Sequence, residues 1–302
     1  MEYTEFKSAS ELIKICKEKR KGVGKIVISN SASDLDTTQK ELKAEMKSRI
    51  TIIRESIQKG LKISKRSKSG LSGGDAKKID SYAKKSYTKV SKTNPLLGKT
   101  LLKAIKYSFA IMEQNARFGR IVALPTAGSA GTVPGALFAA ADDLKLSDSK
   151  LIDSMFVAGG IGMITGENAM LAGATGGCQA EVGTASAMAA GALTSMRGGS
   201  PKQIFDAAAI ALKGLLGLVC DPIAGLVECP CVKRNSTAIS NSYMASELVL
   251  AGVESNVNFD EVLVAMNNVA KLMAPELKET ARGGLAISQT GKEVAERLGI
   301  GN

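Results

Sequence analysis

The sequence has no histidine and no tryptophan. The first absence removes from this chain the commonest proton shuttle and one of the two usual zinc ligands. Aromatic residues make up only 4% of the whole. Few of them interleave with the lysines, which argues against a base-stacking surface for nucleic acid. Long apolar runs are missing as well. The longest, in the C-terminal half, is broken by Glu167, Asn168 and many glycines, and would make a poor membrane span. The opening residues MEYTEFKSAS are charged and lack the apolar core of a secretory leader. A cytoplasmic protein is therefore expected, with no membrane or nucleic-acid partner and with its five cysteines reduced. That assigns the cysteines to thiolate chemistry or plain burial rather than to disulfides.

What is present is small and basic. The 302 residues include 31 glycines and much alanine, which allow close backbone contact between helices or against a ligand. Charge is uneven: residues 1–120 carry 28 Lys and Arg against 12 Asp and Glu, and residues 121–302 carry 12 against 17. The basic half reads as a solvated helical face, since its lysines are scattered. A nucleic-acid surface and a field that draws in an anionic substrate are the other readings.

The periodicity is mostly helical. Ser8 and Glu11 form a capping-box pattern ahead of Leu12, Ile13 and Cys16, with Cys16 an ordinary small core residue. GKIVISNSA, a short apolar run between glycine and asparagine, reads as extended. Over residues 38–59, Leu42, Met46, Ile50, Ile53 and Ile57 recur at helical spacing, and Gly60 reads as the stop. KSGLSGGDAKK, residues 68–78, is a glycine loop with Asp75 near a following helix start. Further helices are expected over TLLKAIKYSFAIMEQNARFG, from near Pro134, through residues 151–200, behind a Ser200 cap and behind an Asn258 cap. The fold class expected is all-α, with tightly packed small-residue helices and functional loops between them.

Two features carry chemistry. PTAGSAGTVPG, residues 125–135, alternates small residues and hydroxyls ahead of a helix. Such a loop offers backbone N–H donors and a positive helix end to a carboxylate or phosphate, or else serves close packing. It matches neither the P-loop nor the dinucleotide fingerprint. Cysteine is the second feature. Cys178 lies in GATGGCQAEVGTA, and Cys220, Cys229 and Cys231 lie in LVCDPIAGLVECPCVKRNS. Their spacing is not that of a zinc finger. Two readings stay open: three loop thiolates on a four-iron cluster with one iron free of protein, or buried small residues.

PTAGSAGTVPG, GGCQAEVGTASAMAAGAL, CDPIAGLVECPCVKRNS and SGLSGGDA together resemble the α chain of the iron–sulfur-dependent L-serine dehydratases (L-serine ammonia-lyases). The resemblance runs from about residue 62 to ARGGLAISQTG. It implies an all-helical catalytic unit over 61–302; residues 1–60, which carry little of the resemblance, read as a basic helical segment of the same continuous domain. It implies a [4Fe–4S] cluster held by Cys178, Cys220 and Cys231, with Cys229 a neighbouring structural thiol. Single-chain members of that family carry a further domain with a Ser-His-Thr motif, and some end in a cysteine that reaches the cluster. This sequence shows neither that domain nor any histidine, so the resemblance implies a separate β subunit as partner; it ends RLGIGN, so any capping of the open iron is expected to differ.

The reaction implied is the deamination of L-serine to pyruvate and ammonia, with the open iron acting as a Lewis acid on the leaving hydroxyl. Lys233, Arg234 and Asn235 follow Cys231 and are the candidate catalytic residues, anchoring the substrate carboxylate. Thr126 and Ser129 are candidates to hold the carboxylate or the hydroxyl. The loop of Ser69 and Asp75 is a candidate to place Asp75 at the ammonium, with a helix cap as its plainer role. Glu181 reads as a neighbour of the cluster or as a cap. The rivals are a related cluster enzyme acting on L-cysteine or L-threonine, a pyridoxal-phosphate enzyme that leaves the cysteines idle, and a basic scaffold or nucleic-acid-binding protein.

Overall fold

The computed structural model describes residues 5–86 and 95–300. The chain ends weighed above, residues 1–4 and 301–302, lie outside the described residues. Thirteen helices occur among those described: α1 (Ala9–Lys19), α2 (Val23–Asp34), α3 (Gln39–Gly60), α4 (Asp75–Ser86), α5 (Lys99–Asn115), α6 (Thr132–Asp143), α7 (Asp148–Asn168), the single turn α8 (Gly173–Gly176), α9 (Thr184–Met196), α10 (Pro201–Lys213), α11 (Cys231–Leu250), α12 (Phe259–Leu272) and α13 (Gln289–Arg297). No strand forms among the described residues; one isolated parallel bridge pairs Cys220 with Lys278. No described helix is long and apolar enough to cross a membrane. The fold is all-α.

Local chemistry sets the helix starts. Ser8 with Glu11, Thr38 with Glu41 and Ser200 with Gln203 close reciprocal capping boxes, and Asn258 accepts from the Glu261 amide. Each satisfies amide donors that the first helical turn leaves free.

Packing sets the rest. Every residue of α9 except Ser195 is buried, and α7, α10 and α11 surround it. Its alanines and Gly191 let the neighbours approach: a side chain at Gly191 would run into Ile161 and the Ile204 carbonyl. One hydrophobic core extends from Phe6 through Ile57, Met112 and Leu137 to Met266, so α1–α3 pack on the same core as the later helices.

One local expectation is corrected. GKIVISNSA is helical, not extended, and lies within α2. Its Val27 fits against Gly160 of α7, and a Cβ at Gly24 would stand 2.7 Å from the Asp153 carbonyl oxygen. Tertiary packing thus overrides the strand preference of a β-branched run. α3 ends at Gly60, as expected, and there a side chain would also collide with the Ala110 backbone of α5. That glycine serves a helix crossing.

Candidate functional site

Cys178, Cys231 and the glycine loop of Thr126 and Ser129 lie where three core helices begin. Cys178 leads into a π-helical turn, Gln179–Gly183, that continues as α9. Cys231 is the first residue of α11, and the glycine loop runs into α6. The starts of these elements direct positive dipole ends and free amides toward one region, which favours thiolates and anions.

Cys178, Cys220 and Cys231 are all buried and free of disulfides. Cys220 donates a hydrogen bond to Cys178; this, with the Arg234 guanidinium, holds the Cys178 thiol below its ordinary value in spite of burial. The same hydrogen bond, then burial, raises the Cys220 thiol. Burial, reinforced by the negative charge of Cys178, pushes Cys231 up to about 12. Cys229 is half-buried and packs instead with Ile223, Ala224, Val294 and Ala295. Cys16 lies in the main core, raised to about 11 by burial alone.

The loop around each thiol is tied to another part of the chain. Gln179, fully buried, donates to the Met266 carbonyl (3.1 Å) and accepts from the Gly217 amide (2.9 Å), while its own amide donates to Leu218 (2.9 Å). This joins the Cys178 loop to the Cys220 loop. Cys220 is bracketed by the C-terminal segment: its amide donates to Leu277 (2.8 Å) and its carbonyl accepts from Glu279 (2.7 Å). Asp221 accepts from the Leu285 amide at 2.8 Å.

Arg234 and Asn235 act as struts. The Arg234 guanidinium donates to the Val219 carbonyl (2.8 Å), pairs with Asp221 (2.8 Å) and reaches Cys178. Asn235 is fully buried with all four hydrogen-bonding positions used. Its Oδ1 accepts from the Gly131 amide (3.1 Å) and the Thr132 hydroxyl (2.9 Å), and its Nδ2 donates to the carbonyls of Gly128 (2.8 Å) and Cys231 (2.9 Å). It locks the glycine loop onto the Cys231 turn. Lys233 is exposed on the outer side.

The glycine loop turns its own hydroxyls inward. Ser129, fully buried, donates to the Leu124 carbonyl (3.1 Å) and contacts the Thr126 hydroxyl (3.1 Å). Thr126 reaches the carboxylate of Glu181, which also accepts from the Gly173 amide. Burial raises the Glu181 carboxyl, and the charge of Glu279 adds to the shift. A Cβ at Gly173 would stand 2.9 Å from both Cys220 Sγ and a Glu181 oxygen, so backbone, thiol and carboxylate meet there.

The serine loop lies beside the Cys229–Cys231 turn and is held by two carboxylates that sequence reasoning did not single out. Glu228, buried three residues before Cys231, accepts from Ser67 (2.6 Å), Ser69 (2.7 Å) and Ser72. Glu113, fully buried on α5, accepts from the amides of Gly74 (2.8 Å), Asp75 (2.7 Å) and Ala76 (2.9 Å). Asp75 pairs with Arg66 and Lys78, both at 2.8 Å. The signal available in the sequence was a Glu directly before CPC and a Glu in an otherwise apolar helix face.

Among the described residues no group of three or more Cys, Asp or Glu side chains is close enough to hold a single metal ion. Three buried thiols with bare glycine backbone beside them are the donor type that an iron–sulfur cluster takes.

Fold and site together define an all-helical protein with a buried three-thiol centre, assembled by loops at the starts of its core helices. The family profile for the serine dehydratase alpha chain matches residues 18–286, and the chain belongs to that family. It is 42% identical over 293 residues to the probable L-serine dehydratase alpha chain of Bacillus subtilis, covering 97% of this chain and 95% of that one. It is 40% identical over 287 residues to the L-serine dehydratase alpha chain of Peptoniphilus asaccharolyticus, covering 95% and 96%. The L-serine dehydratase of Helicobacter pylori is 34% identical over 289 residues, which span 93% of this chain and 61% of that longer protein.

Proposed function

We propose that this chain is the cluster-bearing α subunit of a cytoplasmic L-serine dehydratase, releasing pyruvate and ammonia, and that a β subunit completes the enzyme. The observation that carries the reading is the burial of three thiols in a chain of this family, with Cys178 and Cys220 hydrogen-bonded and Cys231 within the field of Cys178. Cys178, Cys220 and Cys231 would hold a [4Fe–4S] cluster. Bound there, the cluster would supply a Lewis acid that stabilises charge on the departing hydroxyl.

The chain's own residues bind and orient. The start of α6, with its glycine loop, carries a dipole suited to the substrate carboxylate. The Thr126 hydroxyl lies between that loop and Glu181. Glu181, with the charge of Glu279 beside it, is our candidate partner for the substrate ammonium. Arg234, fixed by Asp221 and Val219, stabilises thiolate at Cys178. The buried loops exclude water, which strengthens each of these interactions.

The test is anaerobic purification with iron and sulfide analysis, followed by assay on L-serine, L-threonine and L-cysteine with and without a separately expressed β-type chain. About four irons per chain, with L-serine preferred and turnover only on mixing, is the expected result. Iron-free protein that turns over L-serine would sink the cluster reading. Full turnover by the lone chain would sink the two-subunit reading.

A further inference from the structure

We infer that Glu228 and the serines of the 67–72 loop form a positioning device that turns the Cys231 thiol into the site and keeps the Cys229 thiol out of it; this rests on the reading of Cys231 as the cluster ligand. Two cysteines flank Pro230, and one register of the turn must be selected over the other. Glu228 holds both ends of that selection. Its carboxylate is seated in the serine loop, and its carbonyl accepts from the Val232 amide (3.0 Å), opening the first turn of α11. Between the two anchors, the Cys229 carbonyl accepts from Ile223 (2.9 Å) and its side chain joins the apolar cluster with Val294 and Ala295. Cys231 is left buried and facing the charge of Cys178.

The seat itself is rigid. Ser67 donates its amide to the Ser72 carbonyl (2.8 Å), the Leu71 amide donates to Ser69 Oγ (3.1 Å), and Arg297 of α13 donates to the Ser69 carbonyl (2.6 Å). Three hydroxyls converging on one side chain call for an acceptor-only group, which a carboxylate is and a carboxamide is not. The Ser69 hydroxyl therefore acts through Glu228.

The experiment is differential alkylation of the full-length, metal-free chain with iodoacetamide, read by peptide mass spectrometry, beside iron and sulfide content after anaerobic reconstitution. In the unaltered chain Cys229 should react first, with Cys231 slower by about tenfold or more, as expected when opening breaks at least one buried hydrogen bond. Glu228→Ala should bring the two rates together and reduce iron retention, and Glu228→Gln should fall between. Ser72→Ala, a milder change, should shift both readouts the same way and serves alone if Glu228→Ala fails to fold. An unaltered labelling order in helical Glu228→Ala protein, or in Ser72→Ala if that variant stands alone, overturns the proposal. So does a Ser69→Ala variant whose labelling and iron are unaltered while its KM for L-serine rises. An unaltered chain that takes up no iron defeats the proposed function but leaves the labelling result standing.

Discussion

In the loop over residues 67–76, three hydroxyls and three amides end on the carboxylates of Glu228 and Glu113. In the loop over 124–132, the carboxamide of Asn235 takes the Gly131 amide and the Thr132 hydroxyl. Both stretches have the glycine-and-hydroxyl composition of an anion cradle. The first is already neutralised by anions of the protein itself. The second gives the amide and hydroxyl at the start of α6 to a neutral group, and the Glu181 carboxylate reaches it at the Thr126 hydroxyl instead. The identity of the filler, charge or amide, separates a loop that is closed from one that still favours an anionic ligand.

The strongest way to break this contrast is to remove the thiols that give the second loop its setting. Cys178→Ser, Cys220→Ser and Cys231→Ser should each abolish iron retention, because an alcohol does not replace thiolate on a soft iron–sulfur site. Cys16→Ser and Cys229→Ser should keep it. Iron analysis decides, and loss in Cys229→Ser with retention in Cys231→Ser would reverse the assignment of the pair. Next in size is Asn235→Ala, which strands four buried partners. A loss of about 3 kcal/mol or more is expected in urea melts of the metal-free chain; a change under about 1 kcal/mol would show that the strut is dispensable.

Glu113→Gln sharpens the other side by making the first filler neutral. Burial raises the Glu113 carboxyl above its ordinary 4.5, against the three amide hydrogen bonds that lower it. The folded state therefore binds the proton more tightly than the unfolded one. Its contribution is full below 4.5 and is lost as pH rises through the folded value. Stability of the unaltered chain relative to Glu113→Gln should fall over that window, and a flat difference would contradict it. The smallest effect belongs to Asp75→Asn. Its ion pairs with Arg66 and Lys78 are at the surface end of the loop, and stability should change by less than about 1 kcal/mol. The KM for L-serine should not move; a large rise would place Asp75 at the substrate ammonium.

Much of the fold was legible because its signals are local. Ser8, Thr38, Ser200 and Asn258 cap the helices that follow them, each within three residues of its partner. The run in α2 misled because its β-branched residues favour a strand, while the glycine that accepts Val27, Gly160, lies on α7, more than a hundred residues on. At the site, the three thiols were legible by residue type and motif. Their supports were not. Glu228 meets Ser69 across 159 residues, and Asn235 meets Gly131 across 104. No periodicity or spacing rule connects such pairs, and only packing brings them together.

The bracket around Cys220 has a consequence for the order of events during synthesis. Leu277, Glu279 and Leu285 supply the backbone that frames Cys220 and Asp221, and Arg297 steadies the serine loop from the last helix. A nascent chain emerging N-terminus first exposes all three thiols before any of that frame exists. Iron offered at that stage would meet cysteines without their frame, which is complete only once about the final tenth of the polypeptide has left the ribosome. On the proposed cluster reading, assembly of the centre would follow translation, and truncation after α12 should yield a helical protein that has all three thiols and no frame around Cys220.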